Sequence, residues 1–147
     1  QLCSICDYTC LTCIKAAECF TCQSSVYFRI YSNTTKLCSC STKYYDDGLG
    51  NVQCLACDYS CETCSSSSSN CLSCNSSAFR TSLNSTCLCN QHVYDNLIEQ
   101  CSPCQFSCSS CISSVSCRFC NISNFREPSI TTAFCSCIVG YYDNGLS

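Results

Sequence analysis

The sequence has no tryptophan, no methionine, one histidine, four glycines and two prolines, and only 12% of its residues are charged. Each scarcity excludes something. The single histidine, His92, has no second feature beside it that would make a Ser-His-Asp triad. Four glycines make no phosphate-binding loop. The net charge of −3 comes with no basic run and no acidic tail, which excludes the clustered lysine and arginine that nucleic acid requires. No apolar stretch approaches the length of a membrane span. There is no signal peptide, and the chain opens on Gln1 rather than an initiator methionine, so a mature segment or a piece of a longer protein is expected. No catalytic constellation emerges, so no enzyme and no cofactor is expected.

What the chain has is cysteine, 24 of its 147 residues, far above the level that marks a disulfide scaffold. From Cys54 to Cys89 eight cysteines are separated by two, three, two, six, two, twelve and one residues. The same figure runs from Cys3 to Cys40 with gaps of two, three, two, five, two, fifteen and one. It runs again from Cys101 to Cys137 with gaps of two, three, two, five, two, fourteen and one. Three copies use every cysteine. The expected divisions are therefore residues 1–53, 54–100 and 101–147. Each copy is too short to bury an adequate apolar core, and small extracellular modules offset that deficit with covalent staples.

Two other uses of the cysteines weigh less. Paired C-x2-C is a zinc-ligand spacing, but eight thiolates per copy would need two metals with almost no histidine. Redox C-x2-C chemistry needs one poised pair beside a helix N-terminus, whereas here nine such pairs stand in a loop-rich chain. Disulfides remain, and eight cysteines allow more than a hundred connectivities.

Overlaying the copies gives local structure. An aromatic residue stands midway between the second and third cysteines, in Asp7-Tyr8-Thr9, Asp58-Tyr59-Ser60 and Gln105-Phe106-Ser107. A hydroxyl residue precedes the fourth cysteine, which suits a tight turn. After the sixth cysteine, Phe28-Arg29, Phe79-Arg80 and Phe125-Arg126 align in a segment whose composition favours a strand. A polar turn follows, then the C-x-C pair opens a return strand expected to end in Tyr44-Tyr45-Asp46, Val93-Tyr94-Asp95 and Tyr141-Tyr142-Asp143. Asp47-Gly48 and Asn144-Gly145 signal turns beyond it. Each copy reads as a cysteine-stapled half followed by a β-hairpin half, with little or no helix. His92 aligns with Lys43 and Gly140, as an exposed bystander would. One arginine and one aspartate recur per copy and suggest a cross-hairpin pair, weak if exposed. Tyr45, Tyr94 and Tyr142 are expected to cover disulfides and the neighbouring copy, with sugar stacking as the sharper reading. The linkers, residues 47–53 and 96–100, are short and do not have flexible-linker composition.

The cysteine spacing resembles the furin-like cysteine-rich repeats of growth-factor receptors, over the whole chain and three times over. It departs at the seventh and eighth cysteines, which stand as C-x-C rather than C-x3-C. The C-x-C form with Tyr-Tyr-Asp resembles cysteine-rich surface proteins of ciliates and other protists. The resemblance implies a pairing within and between copies. In the first copy this gives Cys6–Cys13, Cys10–Cys19, Cys22–Cys38 and Cys40–Cys54. In the second it gives Cys57–Cys64, Cys61–Cys71, Cys74–Cys87 and Cys89–Cys101. In the third it gives Cys104–Cys111, Cys108–Cys117 and Cys120–Cys135. Cys3 and Cys137 are left for bonds to other units.

Four acceptor sequons, at Asn33, Asn75, Asn84 and Asn121, all fall in loops between cysteines and point to covalent N-glycans. Asn33 and Asn84 sit at hairpin turns, while Asn75 and Asn121 directly follow the sixth cysteine, a more sheltered place. The serine run from Ser65 to Ser69 is a solvated loop or an O-glycosylation site. Joining Ser147 to Gln1 leaves twelve residues between Cys137 and a following Cys3, between the internal gaps of thirteen and eleven. Like units meeting end to end are therefore expected. The whole reads as a glycosylated, secreted or cell-surface repeat rod of a coat, matrix or filament. The alternative is a ligand-binding receptor ectodomain or surface antigen, in which one copy should deviate at exposed positions.

Overall fold

The computed structural model describes residues 2–23, 25–129 and 133–145. Ser24, Ile130, Gln1 and Ser147, which figure in the expected strands and in the end-joining expectation, lie outside the described residues. The chain divides into two compact units, one of residues 1–74 with 84–86, the other of residues 75–83 with 87–147.

The fold is small, disulfide-rich and built of two-stranded antiparallel ribbons. The only helical segments among the described residues are three single turns of 3-10 helix, Ser25–Tyr27, Ser76–Ala78 and Ile122–Asn124. In the first unit, Cys10–Lys15 pairs with Glu18–Cys22, and Arg29–Tyr31 pairs with Cys38–Cys40. Tyr44–Tyr45 then pairs with Leu55–Ala56, and Cys61–Cys64 with Cys71–Cys74. In the second unit, Val93–Tyr94 pairs with Ser102–Pro103, Cys108–Ser113 with Ser116–Cys120, and Arg126–Pro128 with Cys135–Cys137.

This corrects one expectation. The return strand does not run on into the Tyr-Tyr-Asp segment. It stops at the C-x-C, and a turn follows in which Lys43, His92 and Gly140 take positive φ values of 70°, 65° and 92°. That left-handed residue re-aims the chain, so Tyr44–Tyr45 pairs forward with the residues after Cys54. The alignment of lysine, histidine and glycine at this position thus reflects a backbone requirement.

No aliphatic side chain larger than alanine is buried among the described residues. The buried apolar residues are Ala78 and cysteines, Cys19 and Cys61 being wholly enclosed. Cys10, Cys19 and Cys38 pack together in the first unit, with Cys6, Cys13, Cys22 and Tyr31 against them. Sulfur takes the place of a hydrocarbon core, as composition requires in modules of this size. The corollary is that large apolar side chains are left exposed: Leu11, Phe20, Leu72, Ile112 and Phe119 all face solvent.

Candidate functional site

The joint that follows each C-x-C is the most elaborately built part of the chain; one lies in the first compact unit and two in the second. In the first unit the Cys40–Cys54 disulfide spans the joint, with Cα atoms 5.8 Å apart. Backbone bonds reinforce it: Cys54 N–H donates to the Tyr27 carbonyl, and Cys57 N–H donates to that of Lys43. The Lys43 ammonium donates to the Cys61 carbonyl and lies 3.4 Å from Glu62. In the second unit Cys89–Cys101 spans the equivalent place, with Cα atoms 5.9 Å apart. Cys101 N–H donates to Ala78 and Cys104 N–H to His92.

At the centre of each joint lies a buried arginine. Arg29 sends Nε to the Val52 carbonyl at 2.6 Å, Nη1 to Cys38 at 3.3 Å and Nη2 to Asn51 at 2.9 Å. Its Nη2 also lies 2.7 Å from Asp46, with the arginine side chain only 1% exposed. Arg80 repeats the figure. It donates to the carbonyls of Cys87, Ile98 and Glu99 and grips Asp95 with two parallel bonds. Arg126 donates to the Cys135 carbonyl and to Asp143. The expected arginine–aspartate pairs therefore exist, but each guanidinium is enclosed, and those of Arg29 and Arg80 also serve backbone carbonyls of the linker. A planar fork of five N–H donors can meet several carbonyls at once, and lysine cannot. This role was the main one that sequence reasoning missed. Its signal was an arginine at one place per copy in a chain with seven basic residues.

In the first and third copies the recurrent aromatic between the second and third cysteines covers this arginine. The guanidinium of Arg29 lies 5.4 Å from the Tyr8 ring centroid, and that of Arg126 lies 4.7 Å from the Phe106 ring. Tyr8 also donates its hydroxyl to Asp46 at 3.0 Å. Burial first, then that bond, raises the Tyr8 pKa. Burial would raise the Asp46 carboxyl, but bonds from Gly48 N–H, Arg29 and Tyr8 outweigh it and hold it below its usual value. Asp143 is held down in the same way, by Arg126 first and then by Gly145 N–H.

The structure brings together Cys6 with Cys13, Cys10 with Cys19, Cys22 with Cys38, Cys57 with Cys64, and Cys61 with Cys71. In the second unit it brings together Cys104 with Cys111, Cys108 with Cys117, and Cys120 with Cys135. Cys74 and Cys87 are also disulfide-bonded. Cys3 and Cys137 are free thiols, Cys3 exposed and Cys137 half-buried. Of the sequon asparagines, Asn33 and Asn84 are exposed and Asn75 and Asn121 half-buried. His92 is exposed. Among the described residues no group of three or more histidine, cysteine or acidic side chains could hold a metal ion. None of their helices is long and apolar enough to cross a membrane.

The third copy departs from the other two. Asp7 and Asp58 each accept from the backbone and hydroxyl two residues on, closing a turn with Thr9 and Ser60. Gln105 stands there in the third copy, and its side-chain oxygen is buried without a partner. Cross-strand hydroxyl pairs, Thr12 with Thr21 at 2.5 Å and Thr63 with Ser73 at 2.6 Å, tie the first two stapled hairpins. In the third, Ser110 faces Phe119, and the Ser110 hydroxyl is left buried and unbonded. Such an orphan costs about 1–3 kcal/mol.

No protein-family profile and no solved structure matches the chain. It is 31% identical over 125 residues to cysteine repeat modular protein 2 of Tetrahymena thermophila, covering 76% of this chain and 6% of that protein. Cysteine repeat modular protein 1 of the same organism is 36% identical over 73 residues, which is 49% of this chain and 3% of that protein. Furin-like protease 2 of Drosophila melanogaster is 30% identical over 146 residues, covering 90% of this chain and 8% of that protein. The chain thus spans a small fraction of the length of each curated relative. Its cysteine-rich repeats are homologous to those of the ciliate proteins, and the furin-like resemblance is shared.

Proposed function

We propose that this relative of the cysteine repeat modular proteins is a structural extracellular glycoprotein module, a disulfide-laddered repeat of a cell-surface coat, matrix or filament. The observation that carries the reading is the joint. Cys40–Cys54 and Cys89–Cys101 bind the end of one eight-cysteine figure to the start of the next, and a buried arginine locks the linker beside each bond. Covalent continuity from copy to copy is what a load-bearing array needs and a catalyst does not. Repeats of residues 1–53, 54–100 and 101–147 would then add in a line as a rod, each touching its neighbours. Cys137 would bond the first cysteine of a following unit, and Cys3 the eighth of a preceding one. A head-to-tail contact of this kind propagates as an open filament unless its rotation closes a ring. The abundance of disulfides and the loop sequons support an oxidising, extracellular setting.

Native material tests this. Non-reducing peptide mapping should find Cys137 joined to a first-position cysteine of another unit, and the protein should leave the insoluble coat fraction only on reduction. Scattering from the soluble chain should give a radius of gyration clearly above the roughly 15 Å of a compact domain of this length. A compact, freely soluble monomer with Cys3 and Cys137 as thiols would sink the reading. The second reading, a ligand-binding ectodomain or surface antigen of the furin-like class, draws on the departures of the third copy. Co-purification of a soluble ligand with that monomer would favour it.

A further inference from the structure

Phe119, which replaces the hydroxyl residue of the other copies, is 65% exposed. Together with Ile122 and Pro128 it lines a cleft of about 530 Å³ in the second unit, to which His92, Arg118 and Asn121 also contribute. That volume is within the range, about 300–1,000 Å³, in which small ligands are held. The Arg118 side chain makes no hydrogen bond or ion pair among the described residues. Asn121 is the acceptor of the sequon Asn121-Ile122-Ser123, and the aromatic ring stands two residues before it. The Asn121 side chain makes no capping bond to the 3-10 turn that follows. Asn75, its counterpart in the second copy, is tied: it accepts from Ser77 N–H and donates to Glu99 at 2.9 Å.

We propose that the cleft is filled by the protein's own glycan, the first N-acetylglucosamine on Asn121 laying its apolar face on the Phe119 ring. The inference rests on the glycoprotein reading above. A pyranose has a face of C–H groups and an edge of hydroxyls. The C–H face is drawn to the electron-rich face of an aromatic ring, and the hydroxyl and acetamido oxygens can accept from the Arg118 guanidinium. Attachment joins the anomeric carbon to Asn121 Nδ2, which loses one proton as the lipid-diphosphate carrier of the sugar departs; one N–H remains. A ligand tethered at the edge of its own site meets it at high effective concentration, so a shallow cleft suffices. Covering Phe119 and Ile122 also removes apolar surface that would otherwise favour association.

The test uses the full chain secreted by an N-glycosylating host, with its glycans trimmed enzymatically to the first sugar. The acetyl methyl signal of the Asn121 sugar should resonate upfield of those on Asn33 and Asn84, through the ring current of Phe119, and show contacts to ring protons. Phe119→Ser, which restores the residue type of the second copy, should keep the sugar and lose the shift. Phe119→Tyr should retain it. An Asn121 methyl signal coincident with the others, or a bare Asn121 beside occupied Asn33 and Asn84, overturns the inference and leaves the glycoprotein reading standing. Bare asparagine at all four sites overturns both.

Discussion

Arg80 and Asp95 meet face to face, Nη1 lying 3.1 Å from Oδ2 and Nη2 3.0 Å from Oδ1, with the arginine side chain wholly enclosed. The pair is only the visible half of the device. The same guanidinium holds the carbonyls of Cys87, Ile98 and Glu99, so it ties the C-x-C strand to the linker that leads to Cys101. Arg80→Met should leave three carbonyls and a carboxylate without their donor. Discounting Asp95 for its exposure, the local cost is about 3 kcal/mol. Amide exchange over residues 96–100 should then quicken roughly a hundredfold. Arg80→Lys should not rescue it, since an ammonium cannot span the same acceptors. Unchanged exchange would mean that the disulfide alone orders the linker.

The acidic partners give the joint a pH dependence. The Asp46 carboxyl is held below its ordinary value in the folded chain. A group lowered by folding contributes stability that is complete above its unfolded pKa, about 3.9 for aspartate. That stability is lost as pH falls through the lowered folded value. Protection of the Gly48 amide, which donates to Asp46 at 2.9 Å, should therefore be flat from pH 7 to about 5 and fall below pH 4. Asp46→Asn should abolish the acid-dependent part. A loss of protection centred near pH 6 would point to another titrating group.

Removing the joint disulfide acts through the unfolded chain as well. Cys40 and Cys54 are 14 residues apart, and a loop of that length contributes roughly 3 kcal/mol. Cys40→Ser combined with Cys54→Ser should accelerate proteolysis within residues 47–53. The stapled hairpin of Cys10–Lys15 and Glu18–Cys22, held by its own bonds, should stay resistant. Equal loss in both places would mean that the first unit opens as a whole.

Much of this architecture was legible in the sequence because cysteine spacing and repetition report covalent constraints directly. The disulfide-rich class, the short hairpins and the near absence of helix follow from that. What escaped were features carried by the backbone or by atypical burial. Lys43 and His92 give no sign that they adopt a left-handed conformation; only Gly140 at the third equivalent position hints at it. Arginine is ordinarily exposed, so a recurrent Phe-Arg reads as a strand edge and not as the centre of a joint. Gln105 and Phe119 differ from their counterparts in the sequence, yet the orphaned oxygen of Gln105 and hydroxyl of Ser110 become visible only once the register of the hairpin is known.

The phenylalanine before each arginine supplies a comparison internal to the protein. Phe28, Phe79 and Phe125 have φ of 58°, 59° and 55°, a conformation that costs a residue with a side chain roughly 1–2 kcal/mol. Two of them stack on a tyrosine ring, an attraction that would offset this cost. Phe28 lies 3.9 Å from Tyr44 between ring centroids and nearly parallel to it, and Phe125 lies 4.5 Å from Tyr141. Such a pair contributes about 0.5–1.5 kcal/mol beyond its buried area. In the second copy the tyrosine is replaced by Val93. Glycine relieves the backbone at all three places but removes a ring pair at only two. Phe79→Gly should therefore be close to neutral, and Phe28→Gly and Phe125→Gly should each cost about 1 kcal/mol more. The amides of Ser41, Asn90 and Ile138 donate to the carbonyls of these phenylalanines, so their exchange rates report each site separately. Val93→Tyr should slow exchange at Asn90 in the parent chain and have no effect once Phe79 is glycine. If Phe79→Gly exposes Asn90 as much as Phe28→Gly exposes Ser41, stacking does not compensate the strained backbone, and the aromatic pairs are incidental to the joint.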